Sequence, residues 1–156
     1  TFTWMLLIFA MISGGCTGST SGGVKNMRLL IMARNIRNQF KQMLHPRAVL
    51  PVRVNGICVP VQTSATVYTF FVTYLICIFV GWILLMGCGV GLTESMSTVI
   101  SAIGNVGPGL GAFGPAFSWA ALPDAAKWIL SALMLIGRLE IFGILLLFYR
   151  GYWKEK

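Results

Sequence analysis

The hydrophobic positions of this chain come in long blocks rather than in alternation. Residues 1–12, TFTWMLLIFAMI, are apolar without a break. They are too short to cross a bilayer, which takes roughly 20 helical residues. A glycine-rich stretch follows, GGCTGSTSGG at 14–23. Helical spacing resumes over 24–44, where Val24, Met27, Leu30 and Ile31 mark one face and basic residues the other. The run Thr66–Cys88 is long and apolar enough to predict a complete span. A shorter segment, LTESMSTVISAIG at 92–104, predicts a half-helix, with Thr93 placed to cap it and Glu94 suited to its first turn. About ten helical residues reach ~15 Å, half a bilayer. The half-helix runs into GNVGPGLGAFGP, 104–115, where no helix is expected to persist. Residues 124–149 predict a second full span. The second half therefore reads span, half-helix, glycine loop, span.

Between the helical blocks, His45-Pro46 ends a helix, because the residue before proline avoids the α region. Two β-rich runs then flank Asn55-Gly56, a strong hairpin signal because both turn positions need positive φ. Pro51 and Pro60 suit edge positions only.

Composition turns this pattern into a class. Hydrophobic residues make up 56% of the chain and charged ones 10%, against about 25% charged in a soluble domain. No charge occurs in 1–24, 54–93 or 95–123. A soluble core would need polar faces within those runs. The reading is an all-α integral membrane protein with one small hairpin. The net charge is +8, and seven of the twelve Lys/Arg residues lie between positions 25 and 53 with no acid among them. Arg150, Lys154 and Lys156 lie near the end of the chain. Under the positive-inside rule both clusters face the cytoplasm, so 25–62, the hairpin included, and the 150–156 tail are expected there, with the hairpin exposed. Orientation explains the basic patch more simply than nucleic-acid binding, and no nucleic-acid partner is expected. The first residues lack a charged leader region and an initiator Met, which predicts that the chain begins mid-protein.

Chemistry of the catalytic kind is not visible. One His, four acids and cysteines at 16, 58, 77 and 88 form neither a metal-ligand spacing nor an acid–base pair. No enzyme activity and no bound cofactor is expected. The glycine stretch comes near a Walker A loop, with Gly18 and Gly23 correctly spaced. Val24 stands where the lysine must be, and no strand precedes it. A broken transmembrane helix with its polar loop at membrane depth fits better, since irregular backbone there is tolerated when buried or lining water.

The loop after the half-helix has two readings. Backbone carbonyls of an extended loop can replace the hydration shell of a monovalent cation, and a helix C-terminus would point partial negative charge at it. Asn105-Val106-Gly107-Pro108-Gly109 stands where the potassium-channel filter has Thr-Val-Gly-Tyr-Gly. An ordinary re-entrant turn rich in Gly and Pro is the other reading. Arg138 and Glu140 fall inside the last apolar segment, where ionisable groups are functional suspects. Two positions apart, they point about 200° away from each other and need separate partners. Arg138 is expected to face a pore or the interrupted helix, and Glu140 to accept hydrogen bonds from its neighbours.

Four stretches in order, GGCTGSTSGGVK, HPRAVLPVRVNG, GNVGPGLG and GRLEIF, resemble the C-terminal part of Trk-type potassium uptake subunits, within the Trk/Ktr/HKT superfamily. The resemblance covers essentially the whole chain. It implies a potassium-channel-like transporter of four helix–pore-loop–helix repeats. Residues 1–44 would be the broken inner helix of the third repeat, with an intramembrane gating loop at 13–23. Residues 45–65 would be the hairpin linker. Residues 66–149 would be the fourth repeat: span 66–88, pore half-helix 93–104, filter loop 105–111 and span 124–149. The filter would use Asn105, Val106, Gly107, Pro108 and Gly109. The gating loop would use Gly14, Gly15, Thr17, Gly18, Ser19, Thr20, Ser21, Gly22 and Gly23, with Arg138 as the charge near gate and pore. The transported ion would be potassium. The partners implied are a second copy of the full-length subunit, a cytoplasmic nucleotide-binding regulatory ring, and the lipid bilayer of a bacterial inner membrane. Two other classes remain open: a proton- or sodium-coupled secondary transporter with discontinuous helices, and a structural membrane subunit whose loops only pack helices.

Overall fold

The structure, a computed structural model, describes residues 2–16, 18, 22–45, 50–54, 57–114, 118–139 and 143. The Asn55-Gly56 turn, Thr17, Ser19, Thr20, Ser21, Glu140 and the 150–156 tail lie outside them.

The first apolar block forms α1, Phe2–Ser13, and the amphipathic block forms α2, Asn26–Leu44. Val24, Met27 and Ile31 face inward as expected, but Leu30 is exposed and Leu29 packs against the core instead. Two short strands follow, β1 at Arg53–Val54 and β2 at Ile57–Cys58. They pair antiparallel, Arg53 opposite Cys58 and Val54 opposite Ile57, with Pro51 and Pro60 just outside the strands. The hairpin is not simply exposed. Val52, just before β1, and Val54 within it are buried with Ile31 of α2 and Val67. Arg34 donates to the Arg53 carbonyl and Asn38 to that of Leu50 at 3.3 Å. The hairpin is thus strapped along α2.

The long span is α3, Val61–Gly87, of 27 residues, about 40 Å at 1.5 Å per residue. It begins five residues before the point that hydropathy predicts, directly after Pro60. Proline suits the entry to a helix because the first turn needs no donor from it. The polar residues of this first part do not break it. Thr66, Thr69 and Thr73 each donate a hydroxyl to the carbonyl four residues back, so their polarity is spent on their own helix. Phe70, Tyr74, Ile78 and Leu85 turn one face of α3 inward, while Val72, Ile76, Phe79, Ile83 and other apolar side chains stay exposed on the opposite face.

The half-helix is α4, Leu92–Gly104, of 13 residues. It matches the expected 93–104 to within one residue and reaches about 20 Å rather than ~15 Å. Gly91 precedes its first residue, and no side chain caps it. The expected Thr93 cap therefore does not form, because the helix has already started at Leu92; Glu94 does lie in the first turn. The glycine loop carries a short 3₁₀ turn at Gly111–Phe113 where continuous irregular backbone was expected, and a second turn stands at Trp119–Ala121. The last described helix is α5, Asp124–Arg138. The remainder of the expected span to 149 lies largely outside the described residues. α4 sits at the centre of the assembly, packed by α1, α3 and α5. Val99, Ile100 and Ile103 of α4 meet Leu130 and Leu133 of α5 and Tyr74 and Leu85 of α3 in one core.

Candidate functional site

The site is built at the C-terminal end of α4. Asn105 ends the helix in the left-handed conformation, φ 53° and ψ 38°, a geometry that Asn tolerates better than most residues. Its N–H donates to the Ala102 carbonyl at 3.1 Å, and that of Val106 to the Ser101 carbonyl at 3.0 Å. The chain then doubles back beside α4. Leu110 N–H reaches the Ser97 hydroxyl at 3.1 Å, and Ser97 in turn donates to the Glu94 carbonyl at 3.0 Å. Gly109 lies against the Thr98 hydroxyl, which a Cβ on Gly109 would meet at 3.0 Å.

These anchors set the shape of the loop. The four residue steps from Val106 to Leu110 cover only the one helical turn from Ser101 to Ser97. Four extended residues would reach about 13 Å, whereas one turn rises about 5.4 Å. The segment must bow away from the helix. Asn105, Val106 and Gly107 are exposed, Pro108 is half-buried, and Gly109 and Leu110 are buried again. Gly107, at the crest, has φ 108°, which only glycine adopts without strain. Among the described residues, no hydrogen bond is accepted by the carbonyls of Asn105, Val106, Gly107 or Pro108. The partial negative charge of the α4 C-terminus lies beside them.

The glycine stretch after α1 meets this end of α4. Its two ends close on each other: the Val24 N–H donates to the Ile12 carbonyl at 3.3 Å and that of Asn26 to the Gly15 carbonyl at 3.2 Å. Gly14 and Gly23, both at positive φ, touch at a distance that leaves no room for a side chain, with a Cβ on Gly14 falling 2.7 Å from the Gly22 carbonyl oxygen. α1 and α2 are therefore stitched together at the two ends of the glycine stretch. Gly22 sits on the end of α4, where a Cβ would lie 2.8 Å from the Gly104 oxygen and 3.0 Å from Asn105 Nδ2. α5 closes the other side. A Cβ on Gly137 would overlap the Ile103 carbonyl oxygen, and Asn105 Nδ2 donates to the Met134 carbonyl at 3.2 Å. Arg138 follows Gly137, exposed, in the last turn of α5.

Of the residues singled out in the sequence, Asn105–Gly109 on the loop, Gly14, Gly22 and Gly23, and Arg138 by way of Gly137 are thus gathered around one helix end. Gly15 contributes its carbonyl to the closing bond from Asn26, and a Cβ on Gly18 would meet nothing within 4 Å. The anchors Ser97, Thr98 and the Asn105 side chain were not singled out for these roles. The hydroxyls read as ordinary residues of an apolar half-helix. A contact spanning 29 positions, Asn105 to Met134, leaves no local pattern.

The sequence profile of a family described as "TrkH: Cation transport protein" matches residues 1–154. The Trk system potassium uptake protein TrkH of Salmonella typhimurium (strain LT2) is 35% identical over 154 residues, 99% of this chain and 32% of that protein. The protein of the same name from Vibrio parahaemolyticus is 37% identical, covering 99% of this chain and 31% of its own length. Among solved structures, that of the potassium transporter TrkH from Vibrio parahaemolyticus superposes with a TM-score of 0.89 at 37% identity, over 98% of this chain and 32% of that one. The chain spans about a third of the length of these relatives. It is a membrane chain, and it belongs to the TrkH family of cation transport proteins.

Proposed function

We propose that the protein carrying this chain takes up potassium across a bacterial inner membrane. The observation that carries this reading is the bowed loop at the end of α4, whose carbonyls at 105–108 accept no hydrogen bond among the described residues. In an anhydrous passage, unpaired carbonyls cost free energy unless a cation takes them as ligands. Asn105, Val106, Gly107, Pro108 and Gly109 would supply one quarter of the filter as part of a fourth helix–pore-loop–helix repeat. The other repeats would come from the rest of a subunit of the relatives' length.

The segment Gly14–Gly23 would act as the gate below this filter, because its closing end is seated on Gly104 and Asn105. Glycine supplies the conformational freedom that a moving segment needs. Arg138, one residue beyond the α5–α4 contact, would hold the segment closed or repel cations. The basic surface of α2 and the hairpin, within 25–62, would face the cytoplasm and seat a nucleotide-binding regulatory ring, and the full-length subunit would pair with a second copy. The test is growth of a potassium-uptake-deficient bacterial strain at low potassium. The full-length protein is expected to restore growth, and Gly107→Asp, which places a side chain at φ 108°, to abolish it. Undiminished growth with Gly107→Asp would overturn the filter assignment.

A further inference from the structure

We infer that the side chain of Asn105, and not only its backbone, sets the filter geometry: its carboxamide is a positioning group that locks the pore loop to α5 beside the glycine segment. The inference rests on the proposed potassium-filter reading and deepens it.

Two properties of Asn105 separate on the page. The first is conformational: φ 53° makes Asn, or Gly, the suitable residue where α4 ends. That need alone would be met best by glycine. The second is the side chain. Asn105 Nδ2 crosses from the loop to α5 and donates to the Met134 carbonyl at 3.2 Å. The same nitrogen stands 3.0 Å from where a Cβ would be on Gly22, and 3.0 Å from where one would be on Gly137. Two glycines from different segments therefore flank one amide, and no larger residue fits at either place without moving it. Met134 is a residue of α5 three positions before Gly137, so its carbonyl lies within the same turn of that helix. The Asn105 amide thereby ties the first filter residue to the helix that carries Arg138, at the point where the glycine segment abuts.

The consequence is specific. Without the amide, the left-handed turn survives but loses its hydrogen bond to α5. The carbonyls of Asn105 and Val106 then lose their fixed separation from the pore axis. Ion discrimination should suffer more than protein folding, because discrimination depends on the number and placement of coordinating oxygens.

The experiment uses the full-length protein in cells lacking other potassium uptake, with rubidium and potassium influx measured against sodium competition and normalised to transporter in the membrane. Asn105→Gly keeps the positive φ and removes the amide. The expected result is an unchanged amount in the membrane, with the sodium-over-potassium ratio of apparent KM falling about fivefold, the factor that one net hydrogen bond of about 1 kcal/mol carries. Asn105→Asp keeps the shape and the turn preference but lacks the donor. Its added charge attracts both cations alike, so the same fall in the ratio is expected even if Asn105→Gly accumulates poorly. A ratio within twofold of the unmodified protein in either variant overturns the positioning role while leaving potassium uptake standing. Absence of potassium influx in the unmodified protein overturns the functional reading and, with it, this inference.

Discussion

α3 and α4 invert the usual relation between polarity and burial. α3 is the long apolar helix, yet Val72, Leu75, Ile76, Phe79, Val80, Ile83 and Leu84 are all exposed on it. α4 carries Ser95, Ser97, Thr98 and Ser101, and all four are buried. In water this arrangement would be unstable. In a bilayer the outside is as apolar as a core, so apolarity no longer drives helices together, and small residues that pack closely do so instead. Three of these hydroxyls are tolerated because Ser95 reaches the Gly91 carbonyl and Ser97 and Thr98 reach that of Glu94, whereas the buried Ser101 hydroxyl finds no partner among the described residues. They are useful because Ser97 still accepts from the returning loop. In this chain burial, rather than hydropathy, marks the candidate site.

The largest effect is expected where α5 meets α4. Gly137→Leu forces a side chain into the Ile103 carbonyl and must separate the two helices or unwind one. Overpacking of this kind costs about 1–3 kcal/mol in a core that can give, and more where backbone blocks it. Potassium influx should be lost, and the detergent-solubilised protein should melt at a lower temperature. Gly87→Leu, at the end of α3 where no atom stands within 4 Å of a Cβ, should do neither. Equal damage from both would mean that α4 is not the centre.

A smaller loss is expected at the loop anchor. Ser97→Ala leaves the buried Leu110 N–H without its acceptor, which costs about 1–3 kcal/mol. The loop should lose its upper attachment, seen as weakened potassium discrimination in flux measurements. Thr69→Val on α3 removes a hydroxyl that serves only the Ala65 carbonyl on an exposed face. Its flux should match the unmodified protein within the error of the assay. If Thr69→Val and Ser97→Ala behave alike, burial of the α4 hydroxyls carries no special role.

Much of this was legible in the sequence. Apolar blocks marked the five α-helices of the described residues in the right order, the last of them to Arg138, and β-rich runs on either side of Asn55-Gly56 marked the antiparallel pair. Glycines on either side of an apolar half-helix pointed to irregular backbone at depth. What stayed hidden has physical causes. The early start of α3 was masked because Gln62, Thr63 and Ser64 read as polar linker, whereas hydroxyls on a helix can be satisfied by the preceding turn. The burial of Val52 and Val54 needed the position of α2, which no local pattern states. The glycine contacts at Gly22 and Gly137 are visible as glycines but not as partners, since the atoms they admit belong to residues 103–105. For the candidate site, the sequence named the loop, the glycine segment and the arginine; it could not show that the Asn105 amide ties the loop to α5.

The smallest expected effect decides what the outer face of α3 touches. Ile83 is 52% exposed and Leu85 0%, two positions apart on one helix. Leu85→Ala opens a cavity in the core and should cost about 2–5 kcal/mol, read as a lower melting temperature. Ile83→Ala should cost no more than about 0.5 kcal/mol if lipid covers that face, since lipid tails refill the space that a truncated side chain leaves. Further protein from a longer subunit would not refill it so readily. A cost for Ile83→Ala close to that of Leu85→Ala would therefore show that the exposed stripe is an interface with other repeats. The contrast between α3 and α4 would then narrow to the hydroxyls alone, because both helices would be buried and only one would spend its polar groups on the loop.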